Sequence, residues 1–252
     1  MNPRDRLIVA LDVDTKERAL GLVEKLKNDV RTFKVGSELF TSCGPEILAA
    51  VKNSGCGIFL DLKFHDIPNT VAKAVVAATR LGVSIINVHA LGGYEMMKKA
   101  AQAVAAEAKR LKIDPPKLIA VTVLTSMDEN GLKKIGIDDT MEKQVLKLAA
   151  LAKEAGMDGV VASSSEAKLI RKEMGDNFLI VTPGVRPEWA AVNDPSAGSG
   201  SILSLPKDDQ KRVATPKEAV LSGANYIVVG RPITEASDPL SAAKRILKEI
   251  LS

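Results

Sequence analysis

The sequence predicts an α/β protein, a single-domain (β/α)8 barrel of the TIM type over residues 1–252. Three observations predict it. Eight short apolar runs rich in β-branched residues recur along the chain, at 7–13, 32–37, 57–63, 83–90, 117–124, 159–163, 178–183 and 226–230. Segments of helical periodicity lie between them, and near-continuous apolar strands alternating with amphipathic helices mean a parallel sheet covered by helices. The chain has 252 residues, the ordinary size for eight such units. A doubly wound open sheet is the structural alternative, but no Gly-rich dinucleotide fingerprint follows the first run.

The elements follow in order. LIVALDV is succeeded by the helical segment 15–29, and TFKVGS by 44–54. GIFLDLK leads past Pro68 into 70–82, and VSIINVHA into 93–111. KLIAVTVL is followed by 140–156, GVVAS by 164–175, and YIVVG by the last helix, 237–252. Capping residues precede many of these segments, and Gly82, Gly156 and Gly175 follow three of them, as helix stops.

Composition narrows the function. The chain is 46% hydrophobic and 26% charged, with a formal net charge of +4. That balance is ordinary for a soluble globular protein, and the basic residues are interleaved with Glu on helical stretches, as on solvated faces. Aromatic residues make up only 3%, too few for nucleic-acid stacking platforms. No apolar run is long enough to span a bilayer, and the N-terminal stretch does not read as a signal peptide, so a cytoplasmic location is expected. Cys43 and Cys56 are not in metal or redox spacing and are expected as reduced thiols. His65 and His89 are expected to be held by local hydrogen bonds.

In a barrel of this type the active site is built from the C-terminal strand ends and the loops after them. Those ends carry Asp12, Lys34, Asp61 with Lys63, His89, Thr125 and Ser163 in turn, then Pro183-Gly184-Val185-Arg186 and Gly230-Arg231. Asp61 and Lys63 alternate along the third strand and so point to one side. Asp66 lies just past that strand, and Pro68 forbids a regular continuation. Five charges, Asp12, Lys34, Asp61, Lys63 and Asp66, thus gather at one mouth. Interleaved lysines and carboxylates keep each other ionised and aim ammonium protons at a reacting atom. The arrangement suits a reaction that forms a carbanion and then protonates it. A salt-bridge network that only closes the barrel is the plainer reading, yet buried ion networks are weak stabilisers. The Gly and Arg residues ending strands seven and eight stand where this fold binds phosphate. No metal is implied, because lysines hold the inward positions beside the carboxylates.

The stretch DLKFHDIPNT resembles the signature of the orotidine 5′-phosphate decarboxylase family, bacterial type. LDVD and FKVG stand upstream of it, and LTSM, TPGVRP, DQKRVATP and VVGRPI downstream. The resemblance covers nearly the whole chain in order. It implies a homodimeric barrel that converts orotidine 5′-phosphate to UMP and CO2 in pyrimidine biosynthesis, with no metal and no organic cofactor. Lys63 would protonate C6, Asp61 would sit beside the scissile carboxylate, and Lys34 would pair with Asp61 and hold the ribose. Asp12 would bind a ribose hydroxyl. Asp66, Ile67 and Thr70 would reach into the partner's site. Thr125 would read the pyrimidine edge, and Pro183 would line the pocket near the carboxylate. Arg186, Arg231 and the backbone near Gly230 would clamp the phosphate, with Gln210 bridging phosphate and base.

One stretch departs from the family pattern. Between Trp189 and Asp208 the chain reads AAVNDPSAGSGSILSLPK, where the resemblance leads one to expect only a few residues. Its Gly and Ser content predicts a flexible insertion around 190–207, natural or engineered, in the phosphate-closing loop. Two rival readings remain. One is an Mg-dependent sugar-phosphate decarboxylase or synthase of the same barrel group, which would carry an acid where Lys34 stands. The other is a non-catalytic nucleotide-binding barrel.

Overall fold

Eight parallel strands close into one barrel in sequence order, with the first strand paired to the last. The computed structural model describes residues 2–191 and 214–251. The strands are β1 (Leu7–Ala10), β2 (Thr32–Gly36), β3 (Gly57–Phe64), β4 (Ile85–His89), β5 (Lys117–Val121), β6 (Gly159–Val161), β7 (Leu179–Thr182) and β8 (Tyr226–Val229). Each falls inside one of the eight predicted runs or overruns it by a residue. Most are shorter at the C-terminal end, because the last residues of those runs leave the barrel to build its rim.

The strands are buried on both faces, which is why they read as unbroken apolar runs. Alternation divides them between two cores. Ile8, Ala10, Phe59, Ile85, Ile119, Val181 and Val228 fill the barrel interior. Leu7, Val9, Leu11, Phe33, Val35 and Leu60 belong to the larger layer between strands and helices.

The main helices sit where helical periodicity places them, at Lys16–Leu26, Glu46–Asn53, Pro68–Arg80, Tyr94–Leu111, Met141–Glu154, Ser164–Met174 and Pro239–Leu251. Thr15 and Thr140 cap two of them by accepting the backbone N–H of Arg18 and Lys143. Gly82, Gly156 and Gly175 end three, with φ of 74°, 85° and 80°, a region other residues enter at a cost. Short helices at Ser37–Cys43, Glu129–Lys134 and Pro216–Leu221 add to these, the last opened by a reciprocal capping box between Thr215 and Glu218.

The face opposite the mouth is tied by Arg171. Its guanidinium donates to the carbonyls of Gly175, Phe178 and Gly223 and to Asn225 Oδ1. One side chain therefore joins the chain entering β7 to the chain entering β8. Between helices Pro68–Arg80 and Tyr94–Leu111, Glu107 accepts from both Arg80 and Arg110. Among the described residues, no helix is long and apolar enough to cross a membrane.

Candidate active site

The register of the first three strands sets the charged side chains edge to edge. Ala10 pairs with Lys34, Lys34 with Phe59, and Gly36 with Asp61. The result is an unbroken chain of ion pairs. Lys34 Nζ lies 2.8 Å from Asp12 Oδ1 and 3.3 Å from Asp61 Oδ2. Lys63 Nζ lies 2.7 Å from Asp61 Oδ1. Two carboxylates and two ammonium groups alternate, so every like pair is separated by an opposite charge.

The side chains differ in how much water they meet. Lys34 is 12% exposed and Asp61 11%, against 38% for Lys63 and 56% for Asp12. Lys63 is thus the more exposed of the two lysines. Burial acts to raise the Asp61 pKa, but Lys34, Lys63 and the Asn87 amide together outweigh it and hold the carboxyl below its usual range. Burial acts to lower Lys34, and Asp61 and Asp12 outweigh that, so its ammonium is held above the usual lysine range.

Lys63 does not reach the mouth by simple strand alternation. Leu60 pairs with Ile86 and Phe64 with Val88, so β3 spends four residues where β4 spends two. This bulge holds Lys63 at φ 50°, in the left-handed region. A side chain there costs about 1–2 kcal/mol and persists only when its surroundings fix it. The backbone N–H of Lys63 donates to Asn87 Oδ1 at 2.8 Å, and Asn87 Nδ2 donates to Asp61 Oδ1 at 2.6 Å.

An open cavity of about 570 Å³ lies over this array. Asp12, Lys34, Asp61, Lys63, Thr125, Pro183, Arg186, Gly230 and Arg231 all line it. Its floor is apolar, from Ala10, Phe59, Val161, Val181 and Val228. The two arginines stand at the ends of β7 and β8, across the barrel from Lys63. Gly184, with φ 70°, turns the chain between Pro183 and Arg186. Arg186 is anchored by its backbone N–H, which donates to the carbonyl of Ala214.

Asp66, Ile67 and Thr70 stand apart from the array. All three are exposed, and Ile67 is 68% so. Asp66 Oδ1 accepts the backbone N–H of Ile67 at 2.6 Å. Within one chain four of the five charges expected at the mouth line the cavity, and Asp66, two residues past the end of β3, does not. Gln210 lies outside the described residues, as does most of the 190–207 stretch. His65 and His89 stack with ring centroids 5.3 Å apart, and His89 Nδ1 accepts the backbone N–H of Leu91. No cluster of three or more His, Cys, Asp or Glu residues able to hold a metal ion occurs among the described residues.

Residues 5–246 match the model of the orotidine 5′-phosphate decarboxylase / HUMPS family. The chain belongs to that family. Among curated relatives, the orotidine 5′-phosphate decarboxylase of Trichlorobacter lovleyi is 52% identical over 249 residues, covering 99% of this chain and 96% of that protein. That of Pelobacter propionicus is 50% identical over 252 residues, covering 99% and 96%. The crystal structure of orotidine 5′-phosphate decarboxylase from Lactobacillus acidophilus superposes with a TM-score of 0.82 at 41% identity, covering 98% of this chain and 100% of that one.

Two residues of this family member escaped the sequence reading. A Cβ on Gly36 would meet Lys34 Nζ at 3.0 Å and Asp12 Oδ1 at 3.4 Å, so a glycine there gives the ion chain its room. Asn87 is 1% exposed and contacts both ends of the Asp61–Lys63 pair. Its sequence signal is a lone amide inside the apolar run IINVH.

Proposed function

We propose that the chain decarboxylates orotidine 5′-phosphate to UMP and CO2 in pyrimidine biosynthesis, without metal or organic cofactor. The observation that carries this is the unbroken Asp12–Lys34–Asp61–Lys63 chain at the barrel mouth. The C6–carboxylate bond breaks and its electron pair stays on C6. The Lys63 ammonium supports that charge and then donates a proton to C6, leaving a neutral amine that regains its proton from water. A fixed, alternating array needs little reorganisation as the charge moves, which is the source of electrostatic catalysis.

The remaining residues take binding roles. Arg186, Arg231 and the backbone at Gly230 hold the 5′-phosphate, and Gln210 bridges phosphate and base. Thr125 reads the pyrimidine edge and Pro183 borders the carboxylate. Asp12 and Lys34 hold the ribose. The phosphate is bound far from C6, so its binding energy is available for orientation at the reacting centre. Asp66, Ile67 and Thr70 complete the site of a partner protomer in a cytoplasmic homodimer, and their exposure in a single chain supports that reading. The 190–207 stretch is an insertion in the same barrel domain and weakens phosphate capture. A variant lacking residues 192–206 should then show a lower KM, and equal catalytic efficiency in the two proteins would refute this.

The test is loss of the orotate chromophore on mixing the protein with orotidine 5′-phosphate in EDTA, beside Lys63→Ala. Rapid loss that vanishes in the variant supports metal-free decarboxylation with Lys63 as donor. Activity that requires added Mg²⁺ would favour the sugar-phosphate reading, and UMP binding without turnover the non-catalytic one.

A further inference from the structure

Lys63 and Asp61 are held by a residue that no role above includes. Asn87 stands on β4 opposite the bulge, between Ile86 and Val88, whose partners on β3 are four residues apart. Its carboxamide spans the gap that the bulge opens. Oδ1 takes the backbone N–H of Lys63, and Nδ2 donates to the Asp61 oxygen that also receives Lys63 Nζ. The amide orientation is fixed, since the flipped form would set NH2 against the Lys63 N–H. Without this acceptor, the Lys63 N–H would be left unpaired at a left-handed backbone position. Building on the decarboxylase reading above, we infer that Asn87 is a positioning residue. It locks the Lys63 backbone and the Asp61 carboxylate into one rigid unit and so sets where the ammonium proton points.

Other residues at this position do not reproduce the unit. Alanine removes both contacts. Aspartate keeps the acceptor for the Lys63 N–H but sets a second carboxylate against Asp61, unless one of the two is protonated and donates in place of Nδ2. The charged and titratable groups around the position are Asp61 and Lys63 on β3, Lys34 on β2 behind Asp61, and His89 two residues further along β4. The β5 partner of Asn87 is the apolar Ile119. A misplaced proton donor costs turnover rather than affinity, about 100-fold for an ångström of error.

The experiment measures kcat and KM for the parent, Asn87→Ala and Asn87→Asp from pH 5 to 9, with the Lys63 amide proton followed by NMR in each protein. The expected result is a fall in kcat of about 100-fold in Asn87→Ala with KM changed less than about threefold. Asn87→Asp should lose kcat progressively as pH rises while the parent profile does not. The Lys63 amide should move upfield in Asn87→Ala and stay near its parental position in Asn87→Asp. Parental kcat in Asn87→Ala would overturn the inference. So would an Asn87→Asp profile parallel to the parent's, or an unmoved Lys63 amide. If the parent itself does not turn over orotidine 5′-phosphate, the decarboxylase reading falls, and the amide shift alone decides whether Asn87 holds Lys63.

Discussion

Replacing Asp61 with asparagine removes one charge and almost no volume. Three donors converge on this carboxylate: Lys63 Nζ at 2.7 Å, Asn87 Nδ2 at 2.6 Å and Lys34 Nζ at 3.3 Å. An asparagine can keep its oxygen toward Lys63 and Asn87 only by turning its NH2 toward the Lys34 ammonium. At an effective dielectric of about 20, an ion pair 3.3 Å apart is worth about 5 kcal/mol before desolvation. Relief from burying the carboxylate returns much of that. Breaking a fully buried pair costs about 3–5 kcal/mol, and the exposure of Lys63 to water reduces this to about 2–3 kcal/mol. The expected loss in Tm is about 5–10 °C at this chain length. Urea and thermal unfolding of Asp61→Asn and its parent at pH 7 and pH 5 are the assay.

The sign follows from the Asp61 pKa, which the fold holds below its usual value. Stability from a depressed carboxyl is fully present above the unfolded pKa of about 3.9 and is lost as pH falls through the folded one. The gap between the two proteins should therefore be the same at pH 7 and pH 5 and close only in stronger acid. An Asp61→Asn protein within about 0.5 kcal/mol of its parent at pH 7 would refute the charge-array argument. A gap that has closed by pH 5 would refute the depressed pKa.

Three further outcomes are expected. Arg231→Ala should lower kcat/KM for the phosphorylated substrate by about 2–3 kcal/mol of lost charge-assisted hydrogen bonding, roughly 30- to 150-fold, and leave turnover of the unphosphorylated nucleoside unchanged. Arg171→Ala should cost about 3 kcal/mol in urea unfolding by orphaning acceptors at the starts of β7 and β8, with the KM of the folded protein unaltered. Glu107 is held at about 2, by Arg110 first and Arg80 second, against an ordinary 4.5. Its contribution is present above that ordinary value and fades toward pH 2, so Glu107→Gln should lower the urea midpoint at pH 7 and match its parent near pH 2.

The barrel was legible because parallel strands buried on both faces leave continuous apolar runs, and most of the runs carry on past the strand into the rim. Asp12, Lys34, Asp61 and Lys63 were legible for a related reason: charge at the end of such a run has no structural need. The bulge in β3 was not legible, because it depends on register against β4, which no local pattern in GIFLDLKF encodes. Gly36 was hidden because its use is an absence of atoms beside Lys34, and Asn87 because a single amide in a strand announces no partner. The helix Pro216–Leu221 is only six residues long, too short for periodicity to mark it, though its capping box was in the sequence.

The bulge also fixes what is portable about this site. A designer who copied Asp61 and Lys63 onto a regular strand of another barrel would reproduce the residue spacing and lose the geometry. The Lys63 backbone would return to φ below zero, and its N–H would pair with a neighbouring strand rather than with a side chain. The smallest transplantable unit is the two-strand ribbon of β3 and β4, with its mismatched register and with Asn87 spanning the mismatch. Grafts of that ribbon should carry the lysine's orientation with them, and grafts of side chains alone should not.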